Sequence, residues 1–143
     1  MRHTFLYEPG VWTLSGIFWS GEGEGIAVDG RTEISHGKEC WMLAGRMRVL
    51  ASPPAEFVNV YTFAAPEPDA LASQWSSENS TLGKLHGVFT VVGPCILSLY
   101  RSEQGGYHGT EHLRQIARDQ YDASGVLLMN DRRLSSWHVT LTR

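Results

Sequence analysis

The sequence predicts an all-β protein: one antiparallel up-and-down barrel of about eight to ten strands, formed by residues 1–143 as a single domain. Short runs in which apolar and polar residues alternate follow one another along the chain, with the period of two expected of half-buried strands. Fifteen glycines and six prolines suit a chain of short strands and turns better than a helical bundle. No linker or low-complexity segment divides the chain, and such a sheet hides its edges best by closing into a barrel.

The first predicted strand lies within Pro9–Ser20 and leads into a hinge whose glycines recur at every second residue, Gly21–Gly25. Glycine is unfavourable in a strand unless it allows a bend or a close backbone approach, so we expect a sharp change of direction there. The second strand, Ile26–His36, has its mainly apolar set at even-numbered positions, which places His36 on the inner face.

The third strand, Glu39–Leu50, follows a turn and carries an inward set that begins with Trp41. Proline ends it at Ser52–Pro54, because proline cannot donate a ladder hydrogen bond. The fourth strand, Glu56–Ala65, is broken at Pro66–Asp69. The residues on its inner side are Phe57, Asn59, Tyr61 and Phe63.

The second half of the chain contains six further candidate strands, of which two are ambiguous. Ala70–Ser76 fits either a short helix or a strand, and we interpret it as a strand that leads through residues 77–80 into a loop. Thr110–Asp119 has a partly helical spacing but is short and lacks a good cap, so it too is interpreted as a strand. The others are Lys84–Val92, Cys95–Arg101, Tyr121–Met129 and Leu134–Arg143.

Composition excludes some classes of partner. The net charge of -3 provides no basic footprint for nucleic acid, and no apolar run of about 18 residues is present to span a membrane as a helix. If Met1 is the natural start, the absence of a signal-peptide pattern predicts a cytoplasmic protein. Cys40 and Cys95 are then expected to be reduced, buried structural thiols.

Two local patterns carry a family resemblance. Gly10-Val11-Trp12 forms a G-x-W on the first strand and Arg143 ends the last, which resembles the calycin superfamily of lipocalins, fatty-acid-binding proteins and nitrobindin-like domains. The run Gly16–Gly25 followed by Glu33–Lys38 is similar to the opening of nitrobindin. The resemblance implies a calycin-like barrel in which the Trp12 ring packs against Arg143 and seals one end.

Histidines are the main candidates for metal chemistry. The nitrobindin resemblance implies that His138, near the chain end, could ligate haem, whereas the alternation of Trp137, Val139 and Leu141 places His138 on the outer face. His108 and His112 would share a strand face but lie too far apart to chelate one ion, so we interpret them as unrelated polar residues. No G-x-S-x-G elbow, HExxH or CxxC motif is present, which favours binding over catalysis.

We therefore expect the barrel to bind a small apolar or amphipathic molecule, without a resident cofactor. One alternative is a haem-binding, nitrobindin-like protein with His138 as ligand. Another is a filled barrel that acts as an oligomerisation or protein-interaction module. The sequence also leaves a homo-oligomer as an alternative to a monomer. The residues predicted to line the ligand pocket are Phe18, His36, Trp41, Asn59, Tyr61 and Phe89.

Overall fold

The computed structural model describes residues 2–67, 70 and 72–143. These residues form ten antiparallel strands in one closed barrel, so the predicted all-β, up-and-down barrel is confirmed. The strands are β1 (Gly10–Ser20), β2 (Ile26–His36), β3 (Trp41–Val49), β4 (Ala55–Phe63), β5 (Ala72–Asn79), β6 (Gly83–Val92), β7 (Cys95–Ser102), β8 (Tyr107–Ala117), β9 (Gln120–Met129) and β10 (Arg132–Thr142).

Each strand pairs with the next one in the chain, and β10 closes the barrel against β1 from Thr13↔Thr142 to Ser20↔Ser135. The connections therefore alternate between two ends. We call the end that holds residues 2–9 and the turn between β8 and β9 the terminal end, and the opposite end, with Gly21–Gly25 and Ser80–Leu82, the far end.

Both ambiguous stretches are strands over most of their described residues: β5 begins at Ala72, after Ala70, and β8 ends at Ala117, before a turn at residues 118–119. In β8, Leu113 and Gln115 are buried on the inner face while Arg114 and Ile116 are exposed, which is strand alternation. The predicted strand Ala70–Ser76 includes Leu71, and the predicted break at residues 66–69 includes Pro68 and Asp69; these three lie outside the described residues.

β5 extends past the predicted strand end at Ser76 and continues to Asn79 before the turn at Ser80. Ser77 and Asn79 continue the inward set of β5, so a polar inner face concealed the end of the strand from its hydrophobic pattern. The glycine hinge proves to be the β1–β2 turn, in which Gly21 has a φ of 59°.

The inner faces of the strands form one core that includes the side chains of Trp12, Val28, Ile34, Ile96 and Tyr121. Cys40 and Cys95 are free, as expected, but half-buried rather than buried, because each lies at the margin of a strand. Among the described residues there is no helix of the length and apolarity needed to cross a membrane.

Candidate functional site

The N-terminal segment, residues 2–9, closes the terminal end of the barrel. Thr4, Phe5 and Leu6 are buried. The Thr4 amide donates to the Tyr121 hydroxyl at 3.1 Å, and that oxygen lies 3.0 Å from Nδ1 of His3. These contacts place the Phe5 side chain inside the barrel, where it lines one side of a cavity.

Trp12 lies at the centre of this closed end and is fully buried. Its ring makes edge contacts with Phe5 and Tyr121, at centroid distances of 5.5 and 5.6 Å. The Arg143 guanidinium lies 5.1 Å from the centroid of the Trp12 ring, within the range of a cation–π contact. The packing of Trp12 against Arg143 that the resemblance implied is therefore present.

Two carboxylates hold Arg143 over that ring. Arg143 Nη2 donates to Glu8 Oε2 and to Asp119 Oδ1, both at 2.8 Å. The hydrogen bond from Arg143 lowers the pKa of the Glu8 carboxyl below its ordinary value. The terminal end is thus sealed by buried aromatic rings under a cover of paired charges, which we call the terminal seal (Trp12, Phe5, Tyr121, Arg143 and Glu8).

Between this seal and the far end the barrel encloses a cavity of about 230 Å³. Four of the predicted pocket residues line it: Phe18, Asn59, Tyr61 and Phe89. The lining is mainly apolar and aromatic, and it includes a small number of polar side chains. This combination is typical of small-molecule pockets.

His36 and Trp41 were also predicted to line the pocket, but they are not among the residues that line this cavity. Their rings stack on each other with centroids 3.5 Å apart and planes 5° from parallel. His36 Nε2 donates to the Leu6 carbonyl at 2.8 Å. Both side chains lie towards the inner side, as the alternation predicted, but at the terminal end, where the N-terminal segment occupies the space beside them.

Three aromatic rings in the cavity wall each lie over a glycine on the neighbouring strand. The register pairs Trp75 with Gly87, Tyr100 with Gly109 and Trp137 with Gly125. A Cβ atom added at any of these glycines would overlap its aromatic neighbour. Because glycine has no side chain, the aromatic rings can lie along the wall, and the centre of the barrel stays open.

The third of these pairs positions a buried carboxyl group. Glu111 on β8 lies opposite Gly125 on β9, and Gly125 lies opposite Trp137 on β10. Because Gly125 has no side chain, the indole reaches across β9, and Trp137 Nε1 donates to Glu111 Oε2 at 2.8 Å. Glu111 lines the cavity, so the surface it retains faces the interior of the barrel.

Burial raises the pKa of Glu111 above its ordinary value of 4.5, and the hydrogen bond from Trp137 opposes that shift only in part. Burial also raises the pKa of Tyr61 and Tyr100, and the nearby Glu111 carboxyl adds to both shifts. Both phenols are therefore neutral at physiological pH. Sequence reasoning considered Glu111 only as a neighbour of two histidines and missed it as a cavity residue.

The hydroxyl groups of the two tyrosines differ in their partners. Tyr100 donates to the Val126 carbonyl at 3.0 Å, a bond that crosses β8 at Gly109. Tyr61 makes no hydrogen bond through its hydroxyl with any described residue. The cavity thus contains one free phenol hydroxyl and one carboxyl oxygen, Glu111 Oε1, that no described side chain or backbone group contacts by a hydrogen bond.

At the far end the wall between β4 and β5 is short. The two strands pair only from Phe63↔Trp75 to Asn59↔Asn79. At that last pair the side-chain amide nitrogen of Asn79, Nδ2, donates to Asn59 Oδ1. Asn79 Oδ1 also accepts from the amides of Thr81 and Leu82, at 2.8 and 2.9 Å, which holds the following turn. Two exposed residues contribute to the described cavity lining, Arg46 and Thr81, and both lie beside this short wall.

The described residues do not fit a haem held in the cavity by His138. That side chain is 54% exposed on the outer face, and its Nε2 donates to Asp122 Oδ1 at 2.8 Å. The cavity lining includes no histidine among the residues that the structure describes. His108 donates to the Asn130 carbonyl, and no group of three or more His, Cys, Asp or Glu side chains is arranged for a metal within the described part of the chain.

No protein-family model, no curated protein and no solved structure matches this chain.

Proposed function

We propose that this protein binds a small apolar or amphipathic molecule inside the barrel. The observation that carries the proposal is the cavity of about 230 Å³, lined mainly by apolar and aromatic side chains with a few polar groups among them. An unfilled barrel interior forgoes packing contacts and lowers stability. Three glycines maintain this space by giving up their side chains, which supports a cavity kept for a ligand over a filled barrel.

The cavity volume supports a small ligand. Pockets for drug-sized molecules have volumes of roughly 300–1,000 Å³, so 230 Å³ suits a molecule below that size. Haem is larger than such a ligand, and the outward position of His138 gives no observation in favour of that alternative.

The arrangement also favours binding over catalysis. Glu111 has the Trp137 indole as its hydrogen-bond partner, and no histidine, thiol or second carboxyl among the described residues lines the cavity with it. We therefore propose a binding protein whose polar groups orient the ligand.

The test is binding of octanol, a neutral amphipathic probe, measured by native mass spectrometry and by the fluorescence of Trp75 and Trp137 in the cavity wall. Leu127 lines the cavity, so Leu127→Trp fills part of it and should weaken octanol binding at least tenfold. Leu99→Trp is the matched control, because Leu99 is exposed on the outer face of β7.

Circular dichroism and thermal melting establish that both variants fold. Equal binding by the wild-type protein and folded Leu127→Trp would contradict the proposal, as would the absence of any complex with octanol or with an amine or acid of the same chain length at millimolar concentration. A stable self-associated form without a complex would favour the oligomerisation module.

A further inference from the structure

We infer that the ligand carries a basic nitrogen, so that the protein is a receptor for small apolar amines, with Glu111 as the group that recognises the ammonium. This inference rests on the proposed function and names the chemical class of its ligand. It is carried by the position of one carboxyl group in an otherwise uncharged aromatic cavity.

Towards the interior of the barrel the cavity presents an acidic group and no basic group among the described residues. Among the described lining residues, Glu111 and Arg46 are the two with ionisable acidic or basic side chains. The Arg46 side chain is 67% exposed, and its Nε lies 3.2 Å from Glu56 Oε1 on the outside of the barrel. A ligand carboxylate would therefore meet a carboxyl group without a cation to offset it, which disfavours fatty acids and other anions.

The Glu111 carboxyl also has bonding capacity left for a ligand. Its Oε2 accepts from Trp137, whereas Oε1 has no hydrogen-bond partner among the described residues. An ammonium group is a donor with three hydrogens and matches a free carboxylate oxygen. The free hydroxyl of Tyr61 supplies a second acceptor in the same cavity.

Aromatic rings surround the remaining space. Tyr61 and Trp75 meet edge to face at 4.7 Å, and the rings of Tyr100, Phe89 and Trp137 complete that wall. The faces of such rings attract cations, and the attraction is strongest where water is excluded. The same rings bury the hydrocarbon part of a small amine, so one wall serves both halves of the ligand.

Binding of an ammonium group changes the protonation of Glu111. In the free protein burial raises the pKa of the Glu111 carboxyl, and a primary amine in neutral solution is an ammonium ion. When the ammonium enters, its charge lowers that pKa, so the carboxyl gives up to solvent whatever proton it still holds and an ion pair forms inside the barrel. Tyr61 and Tyr100, the other titratable groups beside Glu111, stay neutral because burial raises their pKa, so any proton released on binding comes from Glu111.

The experiment compares octylamine, octanol and octanoate, which share one hydrocarbon chain, by isothermal titration calorimetry at pH 7. Repeating the octylamine titration in buffers of different ionisation enthalpy measures the protons released. We expect octylamine to bind at least tenfold more tightly than octanol, octanoate to bind weakest, and any proton release to accompany the amine alone.

Glu111→Gln keeps the shape and removes the charge, so it should abolish both the preference for octylamine and the proton release while octanol still binds. Glu33→Gln is the matched control, because Glu33 is exposed on the outer face of β2. Trp137→Phe leaves the charge in place, removes the hydrogen bond that orients Glu111 and provides a second test: octylamine should bind more weakly than to the wild-type protein, whereas its advantage over octanol should persist, since Glu111 Oε1 is the proposed contact.

The outcomes separate this inference from the proposed function. Equal affinities for octylamine and octanol, tighter binding of octanoate, or an unchanged preference in Glu111→Gln would overturn the amine assignment and leave a neutral-ligand barrel. Absence of binding by all three probes would overturn the proposed function itself.

Discussion

Glu8 and Glu111 are two carboxyl groups whose surroundings shift their pKa in opposite directions. Glu8 lies in the terminal seal, where the hydrogen bond from Arg143 lowers its pKa. Glu111 lies in the cavity wall, where burial raises its pKa and its one hydrogen-bond partner is the neutral Trp137 indole. The charge at the terminal end therefore favours the folded state, whereas the acid in the cavity opposes folding once it ionises.

The two regions also use tryptophan differently. Trp12 presents its ring face to Arg143, and its Nε1 has no hydrogen-bond partner within the described residues. Trp137 uses its Nε1 to orient Glu111 and lies over a glycine. The terminal seal thus relies on packing for stability, while the cavity wall relies on donor geometry. Substitutions in the two regions should separate stability from binding.

Trp12→Ala should produce the largest effect on stability. It removes a fully buried ring that contacts Phe5 and Tyr121, and such deletions lower the free energy of unfolding by about 3–5 kcal/mol. Denaturant titration followed by circular dichroism measures the loss. A loss below about 1 kcal/mol would show that the seal does not depend on this ring.

Gly125→Ala should affect binding more than stability. The added methyl group would overlap the Trp137 indole and displace Nε1 from Glu111, while overpacking lowers the free energy of unfolding by about 1–3 kcal/mol. Ser124→Ala, at an exposed position next to it, is the control. Octylamine calorimetry should show a weaker complex in Gly125→Ala alone, and unchanged affinities in both variants would mean that Trp137 does not position Glu111.

Glu111→Gln should change how stability depends on pH. Because the folded-state pKa of Glu111 is raised, the native state binds its proton more tightly than the unfolded state, so stability falls as pH rises above about 4.5. The ligand-free variant should therefore be more stable than the wild-type protein at pH 7 and equal to it near pH 3. Urea titrations across this range measure the difference, and parallel pH profiles for the two proteins would contradict the assignment.

Glu8→Gln should give the opposite sign and the smallest effect. The folded-state pKa of Glu8 is lowered, so its contribution is present above about pH 4.5 and lost as pH falls through the folded-state value. The variant should be slightly less stable than the wild-type protein at pH 7, and the gap should close in acid. Added salt should reduce the gap, because the pair with Arg143 is solvent-accessible. If salt does not change the difference in stability between the two proteins, the contribution of Glu8 comes from packing and not from its charge.

Alternation along the chain was sufficient to predict the barrel and most of its inner faces, because strand side chains follow a period of two. It correctly placed Phe18, Asn59, Tyr61 and Phe89 towards the interior, and these four line the cavity. The contact between Trp12 and Arg143 came from resemblance to a family, since no pattern within one strand predicts a contact between the chain ends.

Glu111 could not be found in the same way. Its role depends on the register that sets Glu111, Gly125 and Trp137 in one row across three strands, and alternation within a strand does not fix register between strands. His36 is excluded from the cavity because residues 2–9 pack beside it. The sequence of residues 2–9 does not alternate between apolar and polar residues, so no pattern predicts where this segment packs. The sequence signal that could identify a residue such as Glu111 is a charged side chain on the inner face of a strand. Glycines and aromatic residues on the inner faces of the neighbouring strands strengthen that signal.

The pairing of β1 with β10 has a consequence for how the protein folds. Thr13 and Thr142 are neighbours in the sheet although 129 residues separate them in the chain. During synthesis the outer edge of β1 has no partner until the last strand leaves the ribosome, so closure of the barrel must follow translation of nearly all the residues described here. Contacts between such distant parts of a chain slow folding, and an open edge is a site for aggregation. Arg143, which docks on Trp12 when the edge closes, marks the completed barrel.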